Sequence, residues 1–101
     1  MLSILTVQKQ LQNIKNQFKE RRLLLKYTQK TLSDKSGVSL GSIKRFESSG
    51  EIALKSLLKL SVVLECLEDF SALANASDVH DKAMSIVELK AAAVKSKRGS
   101  L

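Results

Sequence analysis

Apolar positions near the start of the chain recur at helical intervals: Val7, Leu11, Ile14, Phe18 and Leu25 fall three, four or seven residues apart. A repeat of about 3.6 residues gathers such positions on one face. Lys9, Gln12, Lys15, Asn16 and Lys19 take the other face, the polar exterior of an amphipathic helix. With Thr6 as N-cap, the pattern predicts a first helix over roughly 7–25.

The punctuation then becomes denser. Thr28 can cap a second helix over 29–36, which Gly37 ends in the left-handed conformation that residues with a Cβ avoid. After the turn Gly37-Val38-Ser39, Ser39 can cap a third helix over about 40–48, with Val38, Ile43 and Phe46 inward and Gly50 closing it. The run Leu54, Leu57, Leu58, Leu60, Val62, Val63, Leu64 is too apolar for an exposed helix and predicts a fourth one buried over much of its circumference. Leu67, Phe70 and Leu73 predict a short fifth. Proline is absent and glycine scarce, so the fold class expected is all-α.

The character of the chain changes at Asn75-Ala76-Ser77-Asp78, which predicts a compact domain over 1–74 and an extension over 75–101. Val79, Ala83, Ile86, Leu89, Ala93 and Val94 form a helical stripe over 79–94, with Asp78 as its candidate cap; Lys95 to Ser100 reads as a flexible basic tail.

Composition narrows the class. The 101 residues and four aromatics provide one modest core and leave no room for a second independent domain. No apolar run approaches the ~18–20 residues that span a bilayer. Met1 to Leu5 lacks a basic flank and a cleavage site. A soluble, cytoplasmic protein with no membrane partner is expected. Cys66 is the single cysteine and His80 its distant potential companion, which favours a buried thiol over a zinc site or a disulfide. Neither residue has neighbours arranged for acid–base or nucleophilic chemistry, and no phosphate-binding loop is present, so no enzyme, metal or cofactor is expected.

The net charge of +7 is unevenly placed. Residues 9–45 carry ten basic side chains against Glu20 and Asp34 alone. Such a concentration suits a polyanion, because phosphates attract Lys and Arg and release condensed counterions on contact. A solvated basic face is the bland alternative.

An ordered set of residues sharpens this reading: Arg22, Tyr27-Thr28-Gln29, Leu32, Gly37-Val38-Ser39, Ile43, Phe46-Glu47, Gly50, Leu57-Leu58 and Leu64. Over about 18–64 the chain resembles the Cro and lambda-repressor-like (XRE) helix-turn-helix family. The resemblance implies a five-helix lambda-repressor-like DNA-binding domain with its motif over 28–48, followed by the C-terminal extension. The physics suits those residue types. A helix enters the ~12 Å major groove when a second helix braces it across the backbone through a short, sharp turn. Leu32, Val38, Ile43 and Phe46 would pack that brace and are not counted as DNA contacts.

Carried over by position, the resemblance implies that Gln29 bonds a phosphate or braces a base-reading side chain, and that Ser39, Leu40, Gly41, Lys44 and Arg45 face base edges and nearby phosphates. Leu40 and Gly41 have no hydrogen-bonding side chain, so Leu40 is left a thymine methyl and Gly41 close approach. Base reading then falls mainly on Lys44 and Arg45, with a phosphate contact as the rival role for Arg45. Ser42, Ser48 and Lys55 match phosphate-contacting positions, with ordinary surface residues as the alternative. Lys30 would contribute a sequence-independent phosphate contact. Arg22 and Glu47 match an ion pair linking helix one to the end of helix three.

Such modules act mostly as dimers on half-sites ~34–36 Å apart. The expected function is therefore a dimeric, sequence-specific repressor. The block Ser49 to Phe70 also resembles the antitoxin subgroup found beside HipA-type kinases, which implies an autorepressor that holds a kinase-like toxin subunit. A protein–protein adaptor that never engages DNA is the competing class.

Overall fold

The computed structural model describes residues 5–76, which hold four α-helices and one 3-10 helix, with no strand among the described residues. They fall into two units, the first reaching Glu68 and the second starting at Asp69, and each is considered by itself. The predicted stripe over 79–94, the basic tail and His80 lie outside the described residues.

Helix α1 spans Val7–Leu24 and begins where expected, with the Thr6 hydroxyl accepting the Lys9 N–H at 3.1 Å. Its end carries no glycine. Lys26 takes the left-handed conformation at φ 64°, while its N–H and that of Tyr27 bond back to the Leu23 and Arg22 carbonyls. This paired closure satisfies carbonyls that the helix leaves open.

Helix α2 spans Gln29–Ser36 and α3 spans Leu40–Ser49, each started by a hydroxyl cap from Thr28 or Ser39 and ended by a glycine with positive φ, Gly37 at 80° and Gly50 at 87°. The turn between them is tied at both polar groups of Val38. Its carbonyl accepts the Ser33 hydroxyl at 2.7 Å and its N–H donates to Ser36 Oγ at 3.1 Å. Val38 is thus buried without an unpaired backbone group.

Helix α4 spans Leu54–Val63 and ends in a second non-glycine closure, Glu65 at φ 61°. Arg21 reaches across from α1 to donate to the Leu64 carbonyl at 2.6 Å and the Glu65 carbonyl at 2.8 Å. A cation on carbonyls at a helix C-terminus is favoured by the helix dipole as well as by the hydrogen bonds. The short fifth helix expected from Leu67, Phe70 and Leu73 is a 3-10 helix over Leu67–Ala72.

The core lies where α1 packs on α3, and α2 on α3 and α4. Leu32, Ile43, Phe46, Leu60 and Leu64 are fully enclosed. Phe18 meets Phe46 edge to face, ring centres 5.6 Å apart and planes at 80°. Each such side chain contributes roughly 1.5–3 kcal/mol through burial, so the angle of α3 is fixed by α1 and α2 together.

Two expectations change. Val7, placed on the inward stripe of α1, is exposed because the first turn of the helix overhangs the packed region. Helix α4 is not buried around its circumference: Leu60 and Ser61 are enclosed, whereas Leu54 and Val62 stand more than half exposed. Among the described helices only α2 packs substantially along it, and one neighbour covers one side of a helix.

Candidate nucleic-acid interface

The exposed residues of α3 are Gly41, Lys44, Arg45 and Ser48, with Leu40 and Ser42 half-buried beside them, while Ile43 and Phe46 point into the core. Spacings of three, four and seven put the exposed four on one face. The six residues predicted for the helix thus lie together with Ser39, its cap. Gln29, Lys30 and Lys55 sit on other helices.

That face is held from behind by an ion pair. Arg22 Nε and Nη2 donate to the two oxygens of Glu47 at 2.7 and 2.9 Å, a bidentate fork with both side chains more than nine-tenths buried. Arg22 Nη1 also donates to the Tyr27 carbonyl at 2.8 Å, tying the pair to the start of α2. Gln29 completes the site by donating to Glu47 Oε1 at 2.9 Å. In the free chain, the Gln29 amide therefore braces α2 against α3. Burial pushes the Glu47 pKa up, but the hydrogen bonds from Arg22 and Gln29 and the charges of Arg22 and Lys19 outweigh it and hold the carboxyl below its ordinary value.

The remaining predicted residues have distinct surroundings. Lys30 pairs with Asp34 one turn along α2, both well exposed. Lys44 and Lys55 are exposed and have no polar partner among the described residues. Ser39 Oγ accepts the Ser42 N–H and donates its own proton to the Ser42 hydroxyl oxygen. Ser48 Oγ donates to the Arg45 carbonyl. Arg45 reaches Glu51 across Gly50, and the two line a cleft with Ser42, Ile52, Ala53 and Ser56. Ala53 gives α4 no side-chain cap, so its first turn faces that cleft without a hydroxyl or carboxylate over its N–H groups.

Arg21, Glu51, Ser49 and Ser56 do not figure in the sequence reading of the site. Arg21 and Arg22 both add to the basic count, yet their guanidinium groups are occupied by α4 carbonyls and by Glu47. Neither pairing follows a helical period, so no spacing rule signals it. Among the described residues, no group of three His, Cys, Asp or Glu is placed to hold a metal, and Cys66 is a buried free thiol. No described helix is long and apolar enough to cross a membrane.

Gly41 is informative because the fold does not require it. A Cβ built there meets no atom within 4 Å, and the residue lies inside a helix, where glycine costs roughly 0.5–1 kcal/mol relative to alanine. Gly41→Ala is expected to raise stability by about that amount. Thermal unfolding of the variant checks it; a loss of stability would show that the protein itself needs the gap.

A short helix braced against an outward-facing, cation-bearing helix through a glycine turn defines a DNA-binding unit of the helix-turn-helix class. The chain belongs to the XRE-type helix-turn-helix family, whose model matches residues 18–70. It is accordingly a DNA-binding transcription regulator whose partner is double-stranded DNA. No curated protein and no solved structure matches the chain.

Proposed function

We propose that the chain is a sequence-specific repressor that works as a homodimer in the cytoplasm and reads the major groove with α3. The observation that carries this reading is the outward face formed by Gly41, Lys44, Arg45 and Ser48 and held from behind by the Arg22–Glu47 pair and Gln29. A face that cannot rock loses little freedom on docking. Arg45 and Lys44 supply donors for guanine O6 and N7, Leu40 a contact for a thymine methyl, and Gly41 the clearance for a close approach. Ser39, Ser42, Ser48, Lys30 and Lys55 take phosphate roles, which fix register without reading sequence, while Gln29 keeps its bracing bond to Glu47.

One such helix covers about half a turn of duplex, so specificity calls for a second copy one helical turn away. Residues 1–74 then act as the DNA-binding domain and 75–101 as the extension, and the dimer contacts come from Leu67, Phe70 and Leu73 or from the 79–94 stripe.

Two variants test the division of roles. Arg45→Ala is expected to erode discrimination among operator variants by ~1–3 kcal/mol at one base pair. Lys30→Ala should weaken every sequence about equally and make the salt dependence shallower by about one charge. Competition binding against single-substituted duplexes separates them, and the reverse pattern would overturn the assignment.

A second reading is an antitoxin that also binds a HipA-type kinase. It draws on the resemblance of the Ser49 to Phe70 block, and on Leu54, Val62 and Leu67, apolar residues that the first unit leaves exposed. Copurification of the full chain with a kinase encoded beside it supports that reading; its absence leaves the plain regulator.

A further inference from the structure

Glu51 lies outside the predicted interface, yet it is joined to Arg45 twice. At the side chains, Arg45 Nη2 donates to Glu51 Oε1 at 3.0 Å, and both groups face solvent. At the backbone, the Ser49 hydroxyl donates to the Arg45 carbonyl at 2.8 Å and accepts the Glu51 N–H at 3.1 Å. Gly50, with its positive φ of 87°, turns the chain back between them. The Glu51 backbone is therefore fixed beside Arg45 before its carboxylate makes any bond.

An exposed ion pair adds little to folding stability, so the pairing matters chiefly for the guanidinium itself. Arginine has five N–H donors in a planar fork, and Glu51 engages one of its terminal nitrogens. Donors remain for guanine O6 and N7 while the carboxylate restrains the plane. Holding a long side chain in place lowers the freedom it loses on binding. The same carboxylate repels a polyanion. Where the duplex offers Arg45 only phosphates, a guanidinium drawn off Glu51 to reach one leaves a bare negative charge beside the backbone.

We propose that Glu51 is a positioning and specificity-determining residue, which aims Arg45 at a base and penalises DNA that offers it phosphate alone. This inference rests on the reading of Arg45 as a base-reading residue.

The test uses the full chain and a duplex selected by it from a random library, together with an unrelated duplex of equal length. Glu51→Gln keeps the size and an acceptor oxygen and removes the charge. Affinity for the unrelated duplex should rise roughly three- to tenfold, the scale of one screened charge contact. Discrimination at the base pair most sensitive to Arg45→Ala should fall several-fold, and Glu51→Gln should have no further effect on it in the Arg45→Ala background. If Arg45→Ala lowers discrimination while Glu51→Gln changes neither quantity, the inference fails and the role of Arg45 stands. Equal weakening of both duplexes by Glu51→Gln would reduce Glu51 to a structural part and likewise overturn the inference. If Arg45→Ala leaves discrimination intact, or no duplex is recovered, both fall together.

Discussion

Glu47→Ala should destabilise the protein by about 3–5 kcal/mol, because it strands a buried guanidinium. Arg22 would retain the Tyr27 carbonyl alone, and Gln29 would lose its acceptor. A small domain has a total stability near the lower end of ~5–15 kcal/mol, so the variant approaches complete unfolding. Urea titration followed by circular dichroism measures the loss. Replacing the pair together, as Arg22→Met with Glu47→Leu, should recover most of it, since apolar substitution of both partners removes the desolvation penalty with the attraction. If the single variant loses under 1 kcal/mol, the pair does not hold α1 and α3 together.

The same site sets an acid limit. A carboxyl whose folded pKa lies below its ordinary 4.5 contributes stability that is full above that value and lost as pH falls through the lowered one. The stability gap between the wild type and Glu47→Gln should therefore be constant near neutrality and shrink as pH falls below 4.5. A gap that widens on acidification would contradict the assigned direction.

Gly50→Ala is the second large effect, at roughly 2–4 kcal/mol from two sources. The residue holds φ at 87°, and a Cβ there would sit 3.0 Å from the Leu11 carbonyl oxygen and 3.1 Å from the Leu11 Cβ. Relief requires α1 to move off α3, since the obstruction includes backbone. Gly37→Ala provides the internal control: φ is 80° but nothing lies within 4 Å, so only the conformational part, about 1–2 kcal/mol, should appear. Equal losses at the two positions, measured by urea titration, would show that the approach of α1 to α3 has no energetic consequence.

The legible parts of the fold were those governed by local chemistry. Thr28 with Gly37, and Ser39 with Gly50, delimit α2 and α3 because hydroxyl caps and left-handed glycines act within one turn of chain. The end of α4 was less legible, since Glu65 adopts a positive φ without being glycine and Arg21 closes the helix from 43 residues away. The exposure of Leu54 and Val62 was equally hidden, because an apolar stripe does not state how many neighbours will cover it.

The face of α3 could be read from its period, and the Arg22–Glu47 pair from the family resemblance. Burial of Ile43 and Phe46 and exposure of Gly41, Lys44, Arg45 and Ser48 follow the same 3.6-residue repeat. The Arg45–Glu51 contact had no such signal, since it spans six residues across a turn rather than one helical repeat. Nor could charge counting separate Arg21 and Arg22, whose guanidinium groups are taken up by carbonyls and by Glu47, from the open Lys44 and Lys55.

The central claim is that α3 carries an outward face that binds duplex DNA by sequence. Its most direct test is the affinity of the full chain for its selected duplex and for an unrelated one, each titrated from 50 to 200 mM salt. Binding to the selected duplex is predicted to be at least ~10³-fold tighter at a fixed salt concentration and to weaken steeply across the range, as several phosphate contacts require. Equal affinity for the two duplexes, or an affinity indifferent to salt, would contradict it.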